Sequence, residues 1–209
     1  MNVREAYSAW AVTYDSDRNV TRDLDQMVTQ KMLAHLRCTV VLEPGCGTGK
    51  NTAFLAQIGE QVHAIDFSEG MLAQARAKLP LAHVTFTVAD LTHPWPCADQ
   101  SVDLIVCSLV LEHIADLPFI FAEAFRCLAP RGRFFVCELH PFRQYLGENA
   151  TFRRDHERID IPAFLHHISD FVGAAVDAGF TLTSLEEWWH EEDQQAPPRL
   201  VSFMFENIG

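Results

Sequence analysis

A chain of 209 residues, 48% hydrophobic and 21% charged, has the composition of one globular domain rather than of a disordered segment. No apolar run nears the roughly 20 residues that cross a bilayer, and the start, Met1 to Tyr7, lacks the apolar core of a signal peptide. A cytoplasmic protein with no membrane partner is therefore expected. The formal net charge of −12 argues against a nucleic-acid partner, which would need a basic face; a small-molecule partner is expected instead.

Residues 1–37 read as two helices, joined near Asp15 to Asn19, that form an N-terminal cap ahead of the first strand. Thr39 to Glu43 is a buried strand, with a helix after it from Lys50 to Ile58. Gln61 to Asp66 is the second strand, and Ser68 caps a helix whose Met71, Leu72, Ala75 and Leu79 recur at helical spacing. Val84 to Val88 and Val102 to Cys107 are the third and fourth strands, the latter almost continuously apolar, as a strand covered on both faces should be. Phe119 to Leu128 is helical. Pro130 to Gly132 then turns the chain into the fifth strand, Arg133 to Leu139. Residues 140–166, with Pro141, Gly147 and Pro162, form a long irregular connection, which reads as a substrate lid. A helix from Ser169 to Ala178 ends at Gly179. The last strands, Phe180 to Trp188 and Leu200 to Glu206, are joined by a stretch too short for a crossover helix, so they pair as an antiparallel hairpin. The alternation predicts a single α/β domain with a doubly wound, mostly parallel, seven-stranded Rossmann-like sheet, its core at residues 38–139.

Six cysteines are scattered, several in apolar runs, and are expected to be reduced and buried rather than paired or metal-bound. His166-His167 with Asp170 is the one conceivable metal group, but adjacent histidines point apart, and no metal is expected.

The turn Glu43-Pro44-Gly45-Cys46-Gly47-Thr48-Gly49 joins the first strand to its helix. Glycine there lets the backbone turn sharply and approach a ligand, which meets the helix's free N–H groups. A phosphate-binding P-loop is excluded, because Asn51 follows Lys50 and Pro44 stands five residues before Gly49. The glycines follow Gly-x-Gly-x-Gly, short of the dinucleotide pattern. Asp66, 17 residues beyond Gly49, closes the second strand, where a carboxylate accepts from ribose hydroxyls. Asp90, at the end of the third, can accept from an exocyclic adenine amine. Three strand-end carboxylates, Glu43, Asp66 and Asp90, on the ligand-binding edge of a parallel sheet mark a nucleoside without naming it.

Val41 to Gly49, Ala64 to Leu72, Ala89 to Leu91, Val102 to His113 and Leu128 to Val136 resemble, in order and spacing, the class I methyltransferases that use S-adenosylmethionine. The likeness is to the small bacterial group with the ubiquinone- and biotin-pathway enzymes; Arg131 replaces its usual glycine. The resemblance implies that Glu43, Gly45, Cys46, Gly47 and Gly49 hold the methionine part of S-adenosylmethionine, and Asp66 its ribose. It places Phe67 and Met71 beside adenine, Asp90 and Leu91 at its polar edge, and Ser108 and Leu109 beneath the sulfonium. Tyr14 matches an aromatic that closes over the cofactor, while Tyr7 and Trp10 fit either that role or an apolar helix stripe.

Methyl transfer is an in-line displacement that chiefly needs alignment and exclusion of water. A general base is needed only where the acceptor holds its proton tightly. His140, leaving the fifth strand, is read as a base or substrate-orienting residue, against a hydrogen-bonded loop histidine. His113, just after the fourth, is read as structural or cofactor-adjacent, with a base as the alternative. Arg143 suits an acidic substrate or the lid's own carboxylates, and Tyr145 is a second substrate candidate. The expected reaction is methyl transfer to an O, N or C atom of a small metabolite. The rivals are an NAD(P)-dependent oxidoreductase, since Asp66 would serve NAD too, and a non-catalytic cofactor-binding partner subunit. The glycine spacing and the fourth-strand segment favour the methyl donor. The acceptor and the oligomeric state stay open.

Overall fold

The computed structural model describes residues 2–148, 150–154 and 157–209. Two helices come first, α1 (Val3–Trp10) and α2 (Val20–Leu33), followed by β1 (Cys38–Pro44), α3 (Thr52–Ile58), β2 (Gly59–Asp66), α4 (Glu69–Lys78), β3 (Val84–Val88), β4 (Val102–Ser108), α5 (Leu117–Cys127) and β5 (Leu128–Leu139). The chain continues through α6 (Pro141–Tyr145), β6 (Thr151–Arg154), β7 (Glu157–Asp160), α7 (Ile168–Ala178), β8 (Thr181–Trp188) and β9 (Leu200–Glu206).

Among the described residues, seven strands form one sheet in the order β3-β2-β1-β4-β5-β9-β8. The first five strands are parallel, and β9 runs antiparallel to both β5 and β8. The expected α/β sheet with a C-terminal antiparallel hairpin is thus present, and β9 inserts between β5 and its hairpin partner.

Successive residues of a strand point to opposite faces, which explains the unbroken apolar runs. Ile105, Cys107, Phe134 and Val136 join Phe121 of α5 and Phe171 of α7 in one core. Their neighbours Leu104, Val106, Phe135 and Cys137 join Leu24 and Val28 of α2 and Leu55 of α3 in the other. All four cysteines outside the half-buried Cys38 and Cys97 are buried, and none of the six is in a disulfide.

Two expectations change. The fifth strand starts five residues early, at Leu128: residues 130–132, read as a turn, lie within β5, where Arg131 takes φ +66° and the register against β4 shifts. Residues 140–166 are less irregular than expected. His140 caps α6, with Pro141 in its first turn, and β6 and β7 pair antiparallel as a separate ribbon. Their sequences, Thr-Phe-Arg-Arg and Glu-Arg-Ile-Asp, are too charged to stand out as strands.

A capping box between Asn2 and Glu5 starts α1. Long-range bonds then lay this helix across the carboxyl ends of the parallel strands. Ser8 Oγ meets Ser68 Oγ at 3.0 Å, and Arg4 donates to Asp90 at 3.0 Å. Beyond the helix, Asp15 accepts from Thr48 and Lys78, both at 2.6 Å.

Candidate functional site

Beneath α1, at the carboxyl edge of the sheet, lies a cavity of about 560 Å³. Its floor is the glycine turn. Gly45 N–H and Cys46 N–H both donate to the Ile65 carbonyl, at 2.7 and 3.1 Å, which ties β1 to β2 at the turn. Asp66 stands in the middle: its Oδ2 accepts from Gly47 N–H at 3.0 Å and its Oδ1 from Ser68 N–H at 2.8 Å. Glu43 is buried and takes the Thr52 hydroxyl.

Of the residues assigned to the cofactor, Tyr14, Glu43, Gly45, Cys46, Gly47, Asp66, Phe67, Met71, Asp90, Leu91, Ser108 and Leu109 line this one cavity. Gly49 does not: a Cβ there would meet Leu79 and Ala75, so it serves the packing of α4. The acceptor-side residues divide. His113 lines the cavity, whereas His140, Arg143 and Tyr145 lie outside it. His140 Nε2 meets Glu187 Oε1 at 3.0 Å and its Nδ1 accepts from Phe142 N–H at 3.1 Å, so both ring nitrogens are engaged. Arg143 pairs with Glu148 and with the buried Asp193, at 2.9 and 2.8 Å, pinning α6 to the loop before β9. The Tyr145 hydroxyl meets His167 Nδ1 at 2.5 Å on an exposed surface. His140 was assigned from its exit from β5, and Arg143 and Tyr145 from their side-chain chemistry. Glu187 of β8 holds the first, the loop before β9 the second, and His167 ahead of α7 the third.

The sequence also left residues out. Arg4, Arg22, Asp25 and Asn51 line the cavity from α1, α2 and the residue before α3, and Tyr7, which the sequence left between a site aromatic and a helix stripe, lines it too. Arg22 packs its guanidinium 3.9 Å from the centre of the Tyr14 ring and donates to the carbonyls of Tyr14 and Asp17, at 2.5 and 2.8 Å. Its Nε and Asn51 Oδ1 are buried and have no hydrogen-bond partner among the described residues. The available signals were the Tyr7, Trp10, Tyr14 spacing and the Arg22, Asp25 pair one helical turn apart.

This donor set fits S-adenosylmethionine. A buried cation and unpaired oxygens beside the glycine turn match the carboxylate and ammonium of an amino acid. A carboxylate held by two backbone N–H groups matches a ribose diol, and Phe67 and Met71 offer flat apolar surface to a base. Among the described residues no group of three or more His, Cys, Asp or Glu is arranged around a metal position.

The family model described as a methyltransferase domain matches residues 42–136. The biotin biosynthesis bifunctional protein BioHC of Cellvibrio japonicus is 33% identical over 97% of this chain, which spans 36% of that protein. The demethylmenaquinone methyltransferase of Tropheryma whipplei is 29% identical over 99% of this chain and 82% of its own length. The chain belongs to the class I S-adenosylmethionine-dependent methyltransferases. The N-methyltransferase NodS of Bradyrhizobium japonicum, crystallised with S-adenosyl-L-homocysteine, superposes with a TM-score of 0.76 over the full length of both chains at 16% identity, a likeness of fold.

Burial gives this methyltransferase an unusual set of acids. It raises Glu43 and Glu138 to about 8, Glu112 to about 7 and Asp66 to about 6. The folded chain therefore keeps protons that the unfolded chain releases near pH 4, and these four groups reduce stability as pH rises from 4 to 8. Asp193 acts oppositely: Arg199 and Arg143 hold it down to about 2, so its contribution is complete above pH 4 and lost only as pH falls toward 2. The ligand-free protein should melt at a higher temperature at pH 5 than at pH 8. A melting temperature that is flat or rises over this range would contradict the burial of these carboxyls.

Proposed function

We propose that the chain transfers the methyl group of S-adenosylmethionine to an O, N or C atom of a small-molecule metabolite, in the cytoplasm. The observation that carries this reading is the continuity of one cavity from the glycine turn, past Asp66, to His113 and Ile114 after β4. Such a cavity holds a donor and still leaves a wall for an acceptor. In this reading Arg22 and the turn from Glu43 to Gly47 bind the amino-acid part, Asp66 the ribose, and Phe67, Met71, Asp90 and Leu91 the adenine. Tyr14, Ser108 and Leu109 enclose the sulfonium. S-adenosylmethionine supplies a carbon already activated by positive sulfur; the protein aligns the acceptor with it and excludes water.

The N-terminal helices act as the cap over the donor. The segment 140–166 contributes to the acceptor wall through its later part, where the Pro162 carbonyl meets His113 and Ile161 packs on Trp10. A small-molecule acceptor accords with the quinone named for the Tropheryma relative and the biotin pathway named for the Cellvibrio one. Calorimetry with S-adenosylhomocysteine and with NADH tests the donor, and incubation with labelled S-adenosylmethionine and a metabolite extract tests the acceptor. Micromolar binding of S-adenosylhomocysteine and label in small molecules is the expected result. Tight NADH binding without a response to S-adenosylhomocysteine would overturn it.

A further inference from the structure

Tyr7 lies at the acceptor end of the cavity, and its hydroxyl is 2.8 Å from His113 Nε2. The other ring nitrogen, Nδ1, is 2.8 Å from the carbonyl oxygen of Pro162. A carbonyl oxygen only accepts, so the proton of the neutral ring is on Nδ1. Nε2 is then a lone pair, and the Tyr7 hydroxyl must donate to it. The tautomer of His113 is thus set by the backbone on one side, and the direction of the Tyr7 proton by His113 on the other. Having given its proton to His113, the phenolic oxygen can only accept from a third group. Burial keeps His113 neutral by holding it below its ordinary value.

The groups facing this pair are acidic. Glu112, just after β4, has Oε1 3.7 Å from His113 Nε2. Glu138 of β5, Asp66 of β2 and Tyr14 beyond α1 also bear on the Tyr7 hydroxyl. Asp66, raised only to about 6, is ionised at neutral pH and opposes an acceptor that arrives as an anion. Glu112 and Glu138 add to this as they ionise at about 7 and 8, so an acceptor that arrives neutral, with its proton still attached, is favoured. These surroundings also stabilise an imidazolium formed within them.

We propose that Tyr7 is the catalytic residue that takes the acceptor's proton, that His113 positions Tyr7 and receives the proton Tyr7 gives up, and that the acceptor is therefore a neutral hydroxyl compound of the phenol or enol class. This rests on the methyltransferase reading. As the acceptor oxygen bonds to the methyl carbon, the carbon–sulfur bond breaks and its electron pair stays on sulfur. The acceptor's proton passes to the Tyr7 oxygen while the Tyr7 proton passes to His113 Nε2. The positive charge lost at sulfur reappears on the imidazolium beside Glu112.

The test uses the full chain with ¹⁵N-labelled histidine and bound S-adenosylhomocysteine, the His113 signals being assigned from the spectrum of His113→Gln. The expected spectrum has a proton on Nδ1 and a bare, hydrogen-bonded Nε2 whose signal moves in Tyr7→Phe. A second arm supplies labelled S-adenosylmethionine with benzoate or with unsubstituted phenol between pH 6 and 9, a range over which the phenol stays neutral. The phenol should be methylated, and Tyr7→Phe or His113→Gln should lower kcat by on the order of 10²-fold. Both variants should keep the wild-type affinity for S-adenosylhomocysteine and lose the acid limb of the pH profile. A proton on Nε2, a His113 signal unmoved by Tyr7→Phe, an unaffected rate in that variant, or methylation of benzoate alone overturns the proposal. If neither probe is methylated, the spectrum decides. Failure of the wild-type chain to bind S-adenosylhomocysteine would instead sink the underlying methyltransferase reading.

Discussion

Asp66→Ala is expected to weaken S-adenosylhomocysteine binding by on the order of 10²–10⁴-fold in calorimetric titration. A ribose diol donating both hydroxyls to this carboxylate makes two charge-assisted bonds, each contributing about 1.5–3 kcal/mol, and about 1.4 kcal/mol is tenfold in affinity. The same carboxylate accepts from Gly47 N–H at 3.0 Å and Ser68 N–H at 2.8 Å, so its loss also loosens the turn that shapes the floor of the cavity. Asp66→Asn separates the two effects. It keeps the size and one acceptor oxygen but removes the charge, and should fall between the wild type and Asp66→Ala. Affinity within about threefold of wild type in Asp66→Ala, with the melting curve unchanged, would remove the ribose role.

Gly45→Ala should both destabilise the protein and abolish donor binding, and Gly47→Ala should be much milder. Gly45 takes φ +74°, which costs a residue with a Cβ about 1–2 kcal/mol. Its Cβ would also fall 2.2 Å from Val110 Cγ2, a second destabilisation of about 1–3 kcal/mol for overpacking. Gly47 takes φ +54°, but a Cβ there meets nothing within 4 Å, so only the backbone strain remains. Urea denaturation should therefore give about 2–5 kcal/mol for Gly45→Ala and about 1–2 kcal/mol for Gly47→Ala. Adding Val110→Ala should recover part of the Gly45→Ala loss, since it removes the overlap and leaves the φ strain. Equal losses at both glycines would mean that Val110 does not press on the turn.

The donor half of the site was legible because its chemistry is local. The glycine turn, Asp66 and Asp90 stand at the ends of strands whose apolar runs are themselves readable, and a parallel sheet brings all its strand ends to one edge. The acceptor half was not. His140 follows β5 directly and His113 lies five residues beyond β4, yet the nearer ring caps α6 and binds Glu187 while the farther one lines the cavity. What separates them is the direction taken by the next few residues. Tyr7 had the same ambiguity: on a helix stripe it is equally a core aromatic or a site residue, and only the contact with His113, 106 positions away, decides.

The sequence by itself determined the α/β sheet, the antiparallel C-terminal pair, the glycine turn and a nucleoside as the class of ligand. Each of these arises from periodicity or from short spacing within one strand–turn–helix unit. The tertiary structure decided which helix roofs the cavity, that Arg22 and Asn51 present polar atoms beside the glycine turn that have no partner among the described residues, and that Gly49 packs against α4. It also decided which histidine lines the cavity. Those outcomes depend on contacts between residues far apart in the chain, where burial and hydrogen-bond satisfaction choose among partners that the local sequence leaves equivalent.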